Sequence, residues 1–303
     1  MTGSVADTIL KLCPEIRLER EVSMAEHTTF RIGGPAEAMV FPKNAQELAA
    51  VSLAARKAEI PFLVVGNGSN LLVPDAGLRG LVIRTYPDTG AIRLTEDHCI
   101  IAESGASLAK TAVAALDAGL TGLEFAHGIP GTVGGAVLMN AGAYGGEIKH
   151  VTETVAAQGI EYAEYGLAEC DFGYRHSRFE ESKETVLWAK FRLQPGDKAA
   201  VSARMEELKA RRRASQPLEM PSAGSFFKRP MVGYAGAYIE QAGLKGFAVG
   251  GAQVSEKHAG FVVNRGGATC SDVLRLMEQV QEKILREFGV ELMPEVRIIN
   301  LEE

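Results

Sequence analysis

Two glycine-rich segments carry the features that most directly suggest chemistry. The first, residues 66–70 (Gly-Asn-Gly-Ser-Asn), follows the apolar run 62–65. Glycines allow successive backbone N–H groups to point at one anion, and Ser69 and Asn70 can add side-chain donors. No Lys-Ser or Lys-Thr pair follows, so the segment is not a P-loop. The pattern indicates either an anion-binding loop or an ordinary polar turn.

The second segment, residues 128–135, reads Gly-Ile-Pro-Gly-Thr-Val-Gly-Gly and leads into small side chains up to Gly145. Its spacing differs from the dinucleotide fingerprint Gly-x-Gly-x-x-Gly, and the expected downstream acid is missing. A tight turn would account for some of these glycines. The whole run favours a backbone pressed against a flat or anionic group. Together, the two loops suggest a cofactor with a pyrophosphate, without choosing between FAD and NAD.

Composition narrows the class of protein. The chain has 303 residues and a net charge of −6, which argues against non-specific nucleic-acid binding. The cysteines are far apart and form no Cys-x-x-Cys pair, so no metal or redox site is expected. The sequence shows no signal peptide and no long apolar span, and we expect a cytoplasmic protein without a membrane span. The four cysteines are Cys13, Cys99, Cys170 and Cys270.

The elements around the first loop form a β-α-β pattern. After a helical lead-in over the first thirty residues, a strand ends near Phe41. Asn44 and Glu47 have capping-box spacing and open a helix that Pro61 blocks. Further strands are predicted at 62–65, 78–84 and 100–103, and Ser107 caps a helix that Gly119 ends.

The second half repeats this mixture and contains a predicted domain boundary near residues 217–221. Before it lie strands at 151–157 and 185–193 and a charged helix to Arg213; after it lie strands at 225–227 and 260–264. Thr269 or Ser271 caps an amphipathic helix that Gly289 ends, and a last strand spans 290–299. Its apolar face comprises Val273, Leu276, Met277, Val280 and Ile284. The pattern predicts a mixed α+β chain with three lobes.

At these segments the sequence resembles a known family. Three motifs are similar to the FAD-binding fold of the vanillyl-alcohol-oxidase type: Thr29-Phe-Arg-Ile-Gly-Gly34, Val65-Gly-Asn-Gly-Ser-Asn-Leu-Leu-Val73 and the 128–135 run. Four more follow in order: Tyr174-Arg-His-Ser177, Gly224-Ser-Phe-Phe-Lys228, Leu244-Lys-Gly246 and Pro294-Glu-Val-Arg297. In this order and spacing they resemble the UDP-N-acetylenolpyruvoylglucosamine reductase family, from about residue 20 to the C-terminus.

The resemblance implies an α+β architecture. It consists of a two-lobed FAD-binding fold of the vanillyl-alcohol-oxidase type plus a C-terminal α+β substrate-binding domain. The implied limits are 1–85 and 86–213 for the two FAD-binding subdomains and 214–289 for the substrate domain, with the strand in 290–303 returning to the first. It also implies non-covalent FAD, NADPH as hydride donor and reduction of UDP-N-acetylglucosamine enolpyruvate to UDP-N-acetylmuramate.

That reaction adds hydride to the β-carbon of an enol ether, so negative charge builds at the α-carbon and in its carboxylate. The charge must be stabilised and the α-carbon must receive a proton. By the resemblance, Ser225 donates the proton, Arg175 faces the carboxylate and Glu295 completes the proton-transfer site. From the residues alone, a strand-start serine, a surface arginine and a Glu295–Arg297 pair remain alternatives.

The resemblance also implies residues that bind the cofactor and the substrate. Tyr174, Arg213 and Lys228 are expected at the substrate, although a run such as 211–213 is usually a solvated helix face. The expected cofactor residues are Arg31, Gly66, Asn67, Gly68, Ser69, Asn70, Gly128, Ile129, Pro130, Gly131, Val133, Gly134 and Gly135.

The chain departs from the longer form of the family, which carries an inserted Tyr-bearing loop over the substrate. Here the strand ending at Leu193 passes almost directly to the charged helix. The group that covers the UDP end therefore stays open, as does the oligomeric state. Two other classes remain: an alcohol or sugar-lactone oxidase of the same fold, often with FAD tethered to a His, and a non-catalytic nucleotide-sugar-binding module.

Overall fold

The computed structural model describes residues 4–85 and 90–300. The chain divides into two compact units. Unit 1 holds the described parts of Met1–Arg20, Glu37–Asn67 and Gly80–Arg211, and unit 2 those of Glu21–Ala36, Gly68–Arg79 and Arg212–Glu303. The three predicted domain ranges stay a prediction, and residue 86, where the second was predicted to begin, lies outside the described residues.

Local capping signals set the ends of several helices. The side chains of Asn44, Ser107 and Thr269 each accept a hydrogen bond from a backbone N–H in the first turn. These caps confirm the helix starts predicted there, and Gly289 ends the last helix in the left-handed conformation (φ 66°). The helices of the described residues are α1 (Val5–Leu12), α2 (Ala45–Lys57), α3 (Leu108–Asp117), α4 (Val133–Leu138), α5 (Arg178–Ser182), α6 (Lys198–Ser215), α7 (Ala235–Gln241) and α8 (Cys270–Phe288).

The strands are mostly short, and those predicted at Phe62–Val65 and Leu78–Arg84 are confirmed. Their bounds are β1 (Leu18–Ser23), β2 (Pro35–Val40), β3 (Phe62–Val65), β4 (Leu71–Leu72), β5 (Leu78–Arg84), β6 (Ile92–Leu94), β7 (Cys99–Glu103), β8 (Leu120–Thr121), β9 (Gly142–Ala143), β10 (Gly146–Glu147), β11 (Thr152–Gln158), β12 (Tyr162–Gly166), β13 (Thr185–Arg192), β14 (Gln194–Pro195), β15 (Ser222–Ser225), β16 (Ala248–Val249), β17 (Ala252–Val254), β18 (Phe261–Asn264) and β19 (Arg297–Ile298). One sheet has the order β1-β2-β5-β3, in which β3 and β5 run parallel.

Unit 1 is organised around a five-stranded antiparallel sheet of order β12-β11-β13-β7-β6. Its central strand β13 contributes the buried side chains of Val186, Ala189 and Phe191 to a core that also contains residues of α3 and α4. A second core in unit 1 joins α2 to β5: Leu48 and Val51 share a cluster with buried strand residues. β3 pairs with β5 and ends at Val65, directly before the first glycine loop.

Unit 2 contains the antiparallel sheet β15-β18-β17-β16, and α8 packs against β16 and β17. Val273, Leu276, Val280 and Ile284 are fully buried on one face of α8, as the amphipathic pattern predicts. Burying a side chain of this size contributes roughly 1.5–3 kcal/mol. The helix therefore supports the sheet that carries Ser225.

Three predicted elements differ from those observed. The helical lead-in is wrong from Leu18 onward, where β1 joins a sheet. The strand predicted at 225–227 is observed at Ser222–Ser225, and beyond it the backbone of Phe226 and Phe227 pairs with the segment around Pro294. Most of the last predicted strand is irregular. There the backbone bonds to separate neighbouring segments, as where Glu295 N–H donates to the Phe226 carbonyl at 2.8 Å and the Gln281 side chain donates to the Leu292 carbonyl at 2.7 Å.

Within residues 4–85 and 90–300, no helix combines the length and the apolar character that crossing a bilayer requires.

The regular part of the last predicted strand is β19, which pairs in parallel with β4, with Arg297 opposite Leu71. Both strands belong to unit 2.

Candidate functional site

The two glycine loops meet in unit 1. The side-chain amide of Asn67 donates to the carbonyl of Pro130 at 3.1 Å. Gly66 lies so close to Thr132 that a Cβ on Gly66 would collide with the Thr132 hydroxyl. The two loops, which are far apart in the sequence, thus contact each other, as binding of a single dinucleotide by both loops requires.

The second loop contains a short helix that the sequence does not predict. α4 begins at Val133, whose N–H donates to the Ala106 carbonyl at 2.9 Å, while Gly134 N–H donates to the Ser104 carbonyl at 2.9 Å. A Cβ on Gly134 would collide with the Ser104 hydroxyl. Packing within unit 1 therefore requires glycine at position 134, and its predicted contact with the cofactor stays a prediction.

Gly135 has the opposite surroundings. It is exposed, and a Cβ built on it would have only Thr132 Oγ1 within 4 Å, at 3.7 Å. Just before the loop, the buried Nδ1 atom of His127 has no hydrogen-bond partner among the described residues. An open glycine backbone at Gly135 is suited to a close approach by a flat polar group such as FAD.

The rest of the first loop belongs to unit 2. Gly68 has φ 61°, and a Cβ there would collide with the His27 carbonyl, so this position needs glycine. The side-chain amide of Asn70 donates to the backbone carbonyl of Glu295 at 3.1 Å. Asn70 therefore links the predicted cofactor loop to the segment that carries a predicted catalytic carboxylate.

Ser225 and Glu295 lie on neighbouring backbone segments of unit 2. Glu295 N–H donates to the Phe226 carbonyl at 2.8 Å, and Lys228 N–H donates to the Met293 carbonyl at 2.8 Å. Phe226 and Phe227 are buried and pack edge to face, with ring centroids 5.1 Å apart, whereas Ser225 and Lys228 are exposed. The two phenylalanines thus anchor a strand end that presents Ser225 to solvent beside the Glu295 segment.

Arg175 and Tyr174 occupy a tight turn in unit 1. Gly173 N–H donates to the His176 carbonyl at 3.1 Å across the turn, and Arg175 adopts φ 54°. The Arg175 guanidinium Nη2 donates to the Gly142 carbonyl at 3.1 Å, and its Cζ lies 5.2 Å from the centre of the half-exposed Tyr174 ring. The turn therefore presents both predicted substrate residues at the protein surface.

Two further predicted residues are exposed. Arg213 lies on α6, and its backbone carbonyl accepts from Lys257 Nζ at 2.8 Å. Arg31 has φ 55°, and its carbonyl accepts from the Asn264 amide at 3.3 Å. These contacts fix the two backbones and leave the roles of both guanidinium groups as predictions.

One group of potential metal ligands occurs in the described residues: Asp97, Cys99 and Glu153 offer ligand atoms within 4.8 Å of one another. Lys190 lies 3.1 Å from Asp97 and 2.8 Å from Glu153, and Arg192 also pairs with both carboxylates. Asp97 and Glu153 therefore belong to an ion-pair network, and hydrogen bonds from Thr95 and Lys190 hold the pKa of Asp97 well below its usual range.

The sequence does not single out Ser104, Thr132 or Asn140, although the structure gives each a contact within the loops. Asn140 is fully buried with φ 40°, and its side chain bonds the Gly173 carbonyl. Its one sequence signal is the Asn-Ala-Gly run at 140–142, which is typical of a turn.

Comparison with known proteins decides the family. Residues 36–158 match the FAD binding domain, and residues 216–299 match the C-terminal domain of UDP-N-acetylenolpyruvoylglucosamine reductase. The UDP-N-acetylenolpyruvoylglucosamine reductase of Pediococcus pentosaceus is 45% identical over 100% of both chains, and that of Agathobacter rectalis is 48% identical over 99% of both. This chain belongs to the UDP-N-acetylenolpyruvoylglucosamine reductase family.

A solved structure supports the same family assignment. The crystal structure of UDP-N-acetylenolpyruvylglucosamine reductase from Thermus caldophilus superposes with a TM-score of 0.81 at 37% identity, covering 94% of this chain and 100% of that one. The resemblance inferred from the sequence motifs is therefore confirmed, as is the FAD-binding fold with a second α+β domain.

Proposed function

We propose that the protein catalyses the NADPH-dependent, FAD-mediated reduction of UDP-N-acetylglucosamine enolpyruvate to UDP-N-acetylmuramate in peptidoglycan precursor synthesis. The observation that carries this proposal is full-length similarity, at 45% and 48% identity, to reductases named for this substrate. Contacts between the glycine loops at Asn67 and Pro130 support a dinucleotide site in the matched FAD domain.

The groups that would hold FAD are the backbone of residues 66–67 and 128–135, with open space at Gly135. When bound, FAD supplies a two-electron carrier between NADPH and the β-carbon of the enol ether. Glycine backbone is suited to this role because its N–H groups can approach a pyrophosphate closely. No covalent link is proposed.

The protein residues must then manage charge and protons on the substrate. We assign Arg175 to the substrate carboxylate, because a guanidinium fork matches a carboxylate in two hydrogen bonds. Ser225 would give its hydroxyl proton to the α-carbon, and the adjacent Glu295 segment would complete the path of that proton. The exposed position of Ser225 at the end of β15 and the Glu295–Phe226 hydrogen bond support this assignment.

Tyr174, Lys228 and Arg213 are proposed for the remaining substrate contacts. All three are exposed, and the positive charge of Lys228 and Arg213 suits a diphosphate. We also propose that the enzyme works in the cytoplasm, since its four cysteines are free thiols, which suit a reducing compartment.

An absorbance spectrum followed by anaerobic titration tests the proposal. The purified protein should be yellow, acid precipitation should release its FAD, and NADPH should bleach the flavin band. UDP-N-acetylglucosamine enolpyruvate should then restore the band with one equivalent of UDP-N-acetylmuramate formed, as measured by mass spectrometry. A flavin that NADPH reduces but that only oxygen reoxidises would refute the proposed substrate.

A further inference from the structure

Asn140 is fully buried two residues after the end of α4, and its side chain makes three hydrogen bonds. Nδ2 donates to the Gly173 carbonyl at 2.8 Å and to Glu147 Oε2 at 2.9 Å, while Oδ1 accepts from Lys149 N–H at 3.0 Å. Both amide donors are therefore used, and they join two segments that are remote in sequence. A buried polar group with this many partners fixes local geometry.

The Gly173 carbonyl is one end of the turn that carries Arg175. Four residues after Gly173, Ser177 Oγ donates to the Leu138 carbonyl at 2.8 Å. The turn is thus tied on both sides to the segment around the end of α4. Between these ties Arg175 has φ 54°, a conformation that costs free energy in a non-glycine residue and needs support from its surroundings.

The guanidinium of Arg175 is bonded to the segment that follows α4. Its Nη2 donates to the carbonyl of Gly142, which lies in the hairpin β9–β10. Tyr144 and Gly145 connect these strands with φ 53° and 85°, the signs of a type I′ turn, and Ile148 N–H closes the base on Ala141 at 3.0 Å. The hairpin is therefore a fixed support for the side chain of Arg175.

A carboxylate lies against the same hairpin. A Cβ on Gly142 would be 2.7 Å from Glu147 Cγ and 3.4 Å from Arg175 Nη1, so both side chains pass over this glycine. Burial raises the pKa of Glu147, but hydrogen bonds from Lys149 and Asn140 outweigh that effect and leave the pKa below its ordinary value. Glu147 is thus an anion whose orientation Asn140 and Lys149 set, Lys149 at 3.0 Å.

From this geometry we propose that Asn140 is a positioning residue for Arg175. It holds the turn at Gly173 and keeps the carboxylate of Glu147 in a fixed place, so that Arg175 meets the substrate carboxylate in one orientation. The proposal rests on the proposed function, because it takes Arg175 as the group that binds that carboxylate. Loss of the amide would let the turn move and leave Glu147 to compete for the guanidinium.

Two substitutions test the role. Asn140→Gly removes the side chain while tolerating φ 40°, and Asn140→Asp keeps the shape and the acceptor for Lys149 but loses both donations. In the full-length holoenzyme, each should weaken binding of UDP-N-acetylmuramate, measured by calorimetry, by about 10-fold or more, given that misplacement by about 1 Å can cost 10²-fold. Flavin reduction by NADPH should stay within about twofold.

Thr152→Val is the matched control, since it removes another buried hydrogen bond near this segment, from Thr152 Oγ1 to the Ile148 carbonyl at 2.9 Å, without touching the turn. It should leave product binding unchanged, even if it lowers the melting temperature. Unchanged product binding in both Asn140 variants would overturn the proposal, as would an equal loss in Thr152→Val.

A double-mutant cycle separates positioning from general destabilisation. In an Arg175→Met background, Asn140→Gly should weaken product binding by no more than about twofold further, because Asn140 acts through Arg175. The same loss in both backgrounds would contradict the proposal while leaving the proposed function intact. If the wild-type enzyme does not reduce the enolpyruvyl substrate, both proposals fail together.

Discussion

At the scale of single residues, the end of β15 shows how packing can expose a reactive group. Phe226 and Phe227 follow β15 directly, and both are buried and pack edge to face. The register shift after Ser222 and the bridge from Phe227 to Pro294 make this possible. As a result, Ser225 stays exposed beside the segment that carries Glu295.

Ser225→Ala should separate the two half-reactions. Oxidation of NADPH requires no proton at the α-carbon of the UDP-sugar, so flavin reduction should proceed at nearly the normal rate. Reoxidation by the enolpyruvyl substrate should slow by about 10²–10⁴, the range for loss of a general acid. Anaerobic stopped-flow at the flavin band, with each half-reaction started separately, measures both rates.

Ser222→Ala is the control for Ser225→Ala, because it alters the same residue type in the same strand. It should leave the rates of both half-reactions near those of the wild type. Ser225→Cys should recover part of the loss, since a thiol can still donate a proton. Glu295→Gln should show the same asymmetry if it shares the proton path. Equal slowing of both halves in Ser225→Ala would mean that the serine is structural.

Residue roles could be predicted only where a motif exists. Ser225, Arg175 and Glu295 lie in segments whose types and order resemble a family, whereas the left-handed backbone of Arg175 leaves no trace in the sequence. Asn140 was missed for the same reason: its partners, Gly173 and Glu147, come together only through the fold. Contacts between remote segments depend on tertiary packing rather than on local propensity.

At the scale of elements, α4 shows that two adjacent glycines can have different purposes. Gly134→Ala should lower the free energy of unfolding of the flavin-free protein by roughly 1–3 kcal/mol, because its Cβ collides with Ser104. Gly135→Ala should keep or raise that stability, since alanine favours a helix, yet weaken FAD binding at this open position. Thermal unfolding without FAD and flavin titration measure the two effects.

The collision at Gly134 can be tested by removing its partner. Ser104→Ala deletes the hydroxyl that meets the new Cβ, so the pair Gly134→Ala with Ser104→Ala should recover part of the lost stability. If the pair is as unstable as the single variant, the clash is not the cause. If Gly135→Ala binds FAD normally, this face of α4 is not at the cofactor.

The N-terminus of α8 offers a pH test. Hydrogen bonds from the backbone N–H groups of Thr269 and Gly251, reinforced by Arg275, hold the pKa of Asp272 below its ordinary value. A lowered folded-state pKa adds stability above the unfolded pKa and loses it as pH falls through the folded pKa. Asp272→Asn should therefore cost about 1 kcal/mol at pH 7.

The difference between Asp272→Asn and the wild type should shrink as the pH falls below about 4, the ordinary value for an aspartate. Urea unfolding followed by circular dichroism at several pH values measures it. Glu278→Gln, an uncharged change further along α8, serves as the control and should show no comparable pH-dependent difference. A constant difference across the range would mean that the charge of Asp272 is not what stabilises the helix.

Elements with strong periodicity or caps could be predicted from the sequence, and weakly patterned ones could not. The face of α8 and the cap at Asn44 are strong local signals. α4 has six residues, mostly glycine and valine, with no side-chain cap, so local propensity argues against a helix there. Its N–H groups bond to Ser104 and Ala106 carbonyls, and this packing outweighs propensity.

At the scale of the whole molecule, one cofactor must serve two large ligands. The chain matches a single FAD binding domain, over residues 36–158, and its relatives are named for a UDP-sugar substrate.

The alternation of strands and helices in the sequence was enough to predict the α+β class of the whole molecule. The division into units could not be predicted, because unit 2 combines Glu21–Ala36 and Gly68–Arg79 with the last third of the chain.

A single redox site predicts a ping-pong mechanism. NADPH and UDP-N-acetylglucosamine enolpyruvate both have to reach the same reactive atoms, so occupancy by one should exclude the other. Initial rates measured against both substrates should give parallel double-reciprocal lines, and high concentrations of either substrate should inhibit competitively against the other. Arg175→Lys should raise KM for the UDP-sugar and leave the NADPH half-reaction unchanged, because a point charge replaces the fork only at the carboxylate. Intersecting lines would require both substrates on the enzyme together and would rule out one shared site.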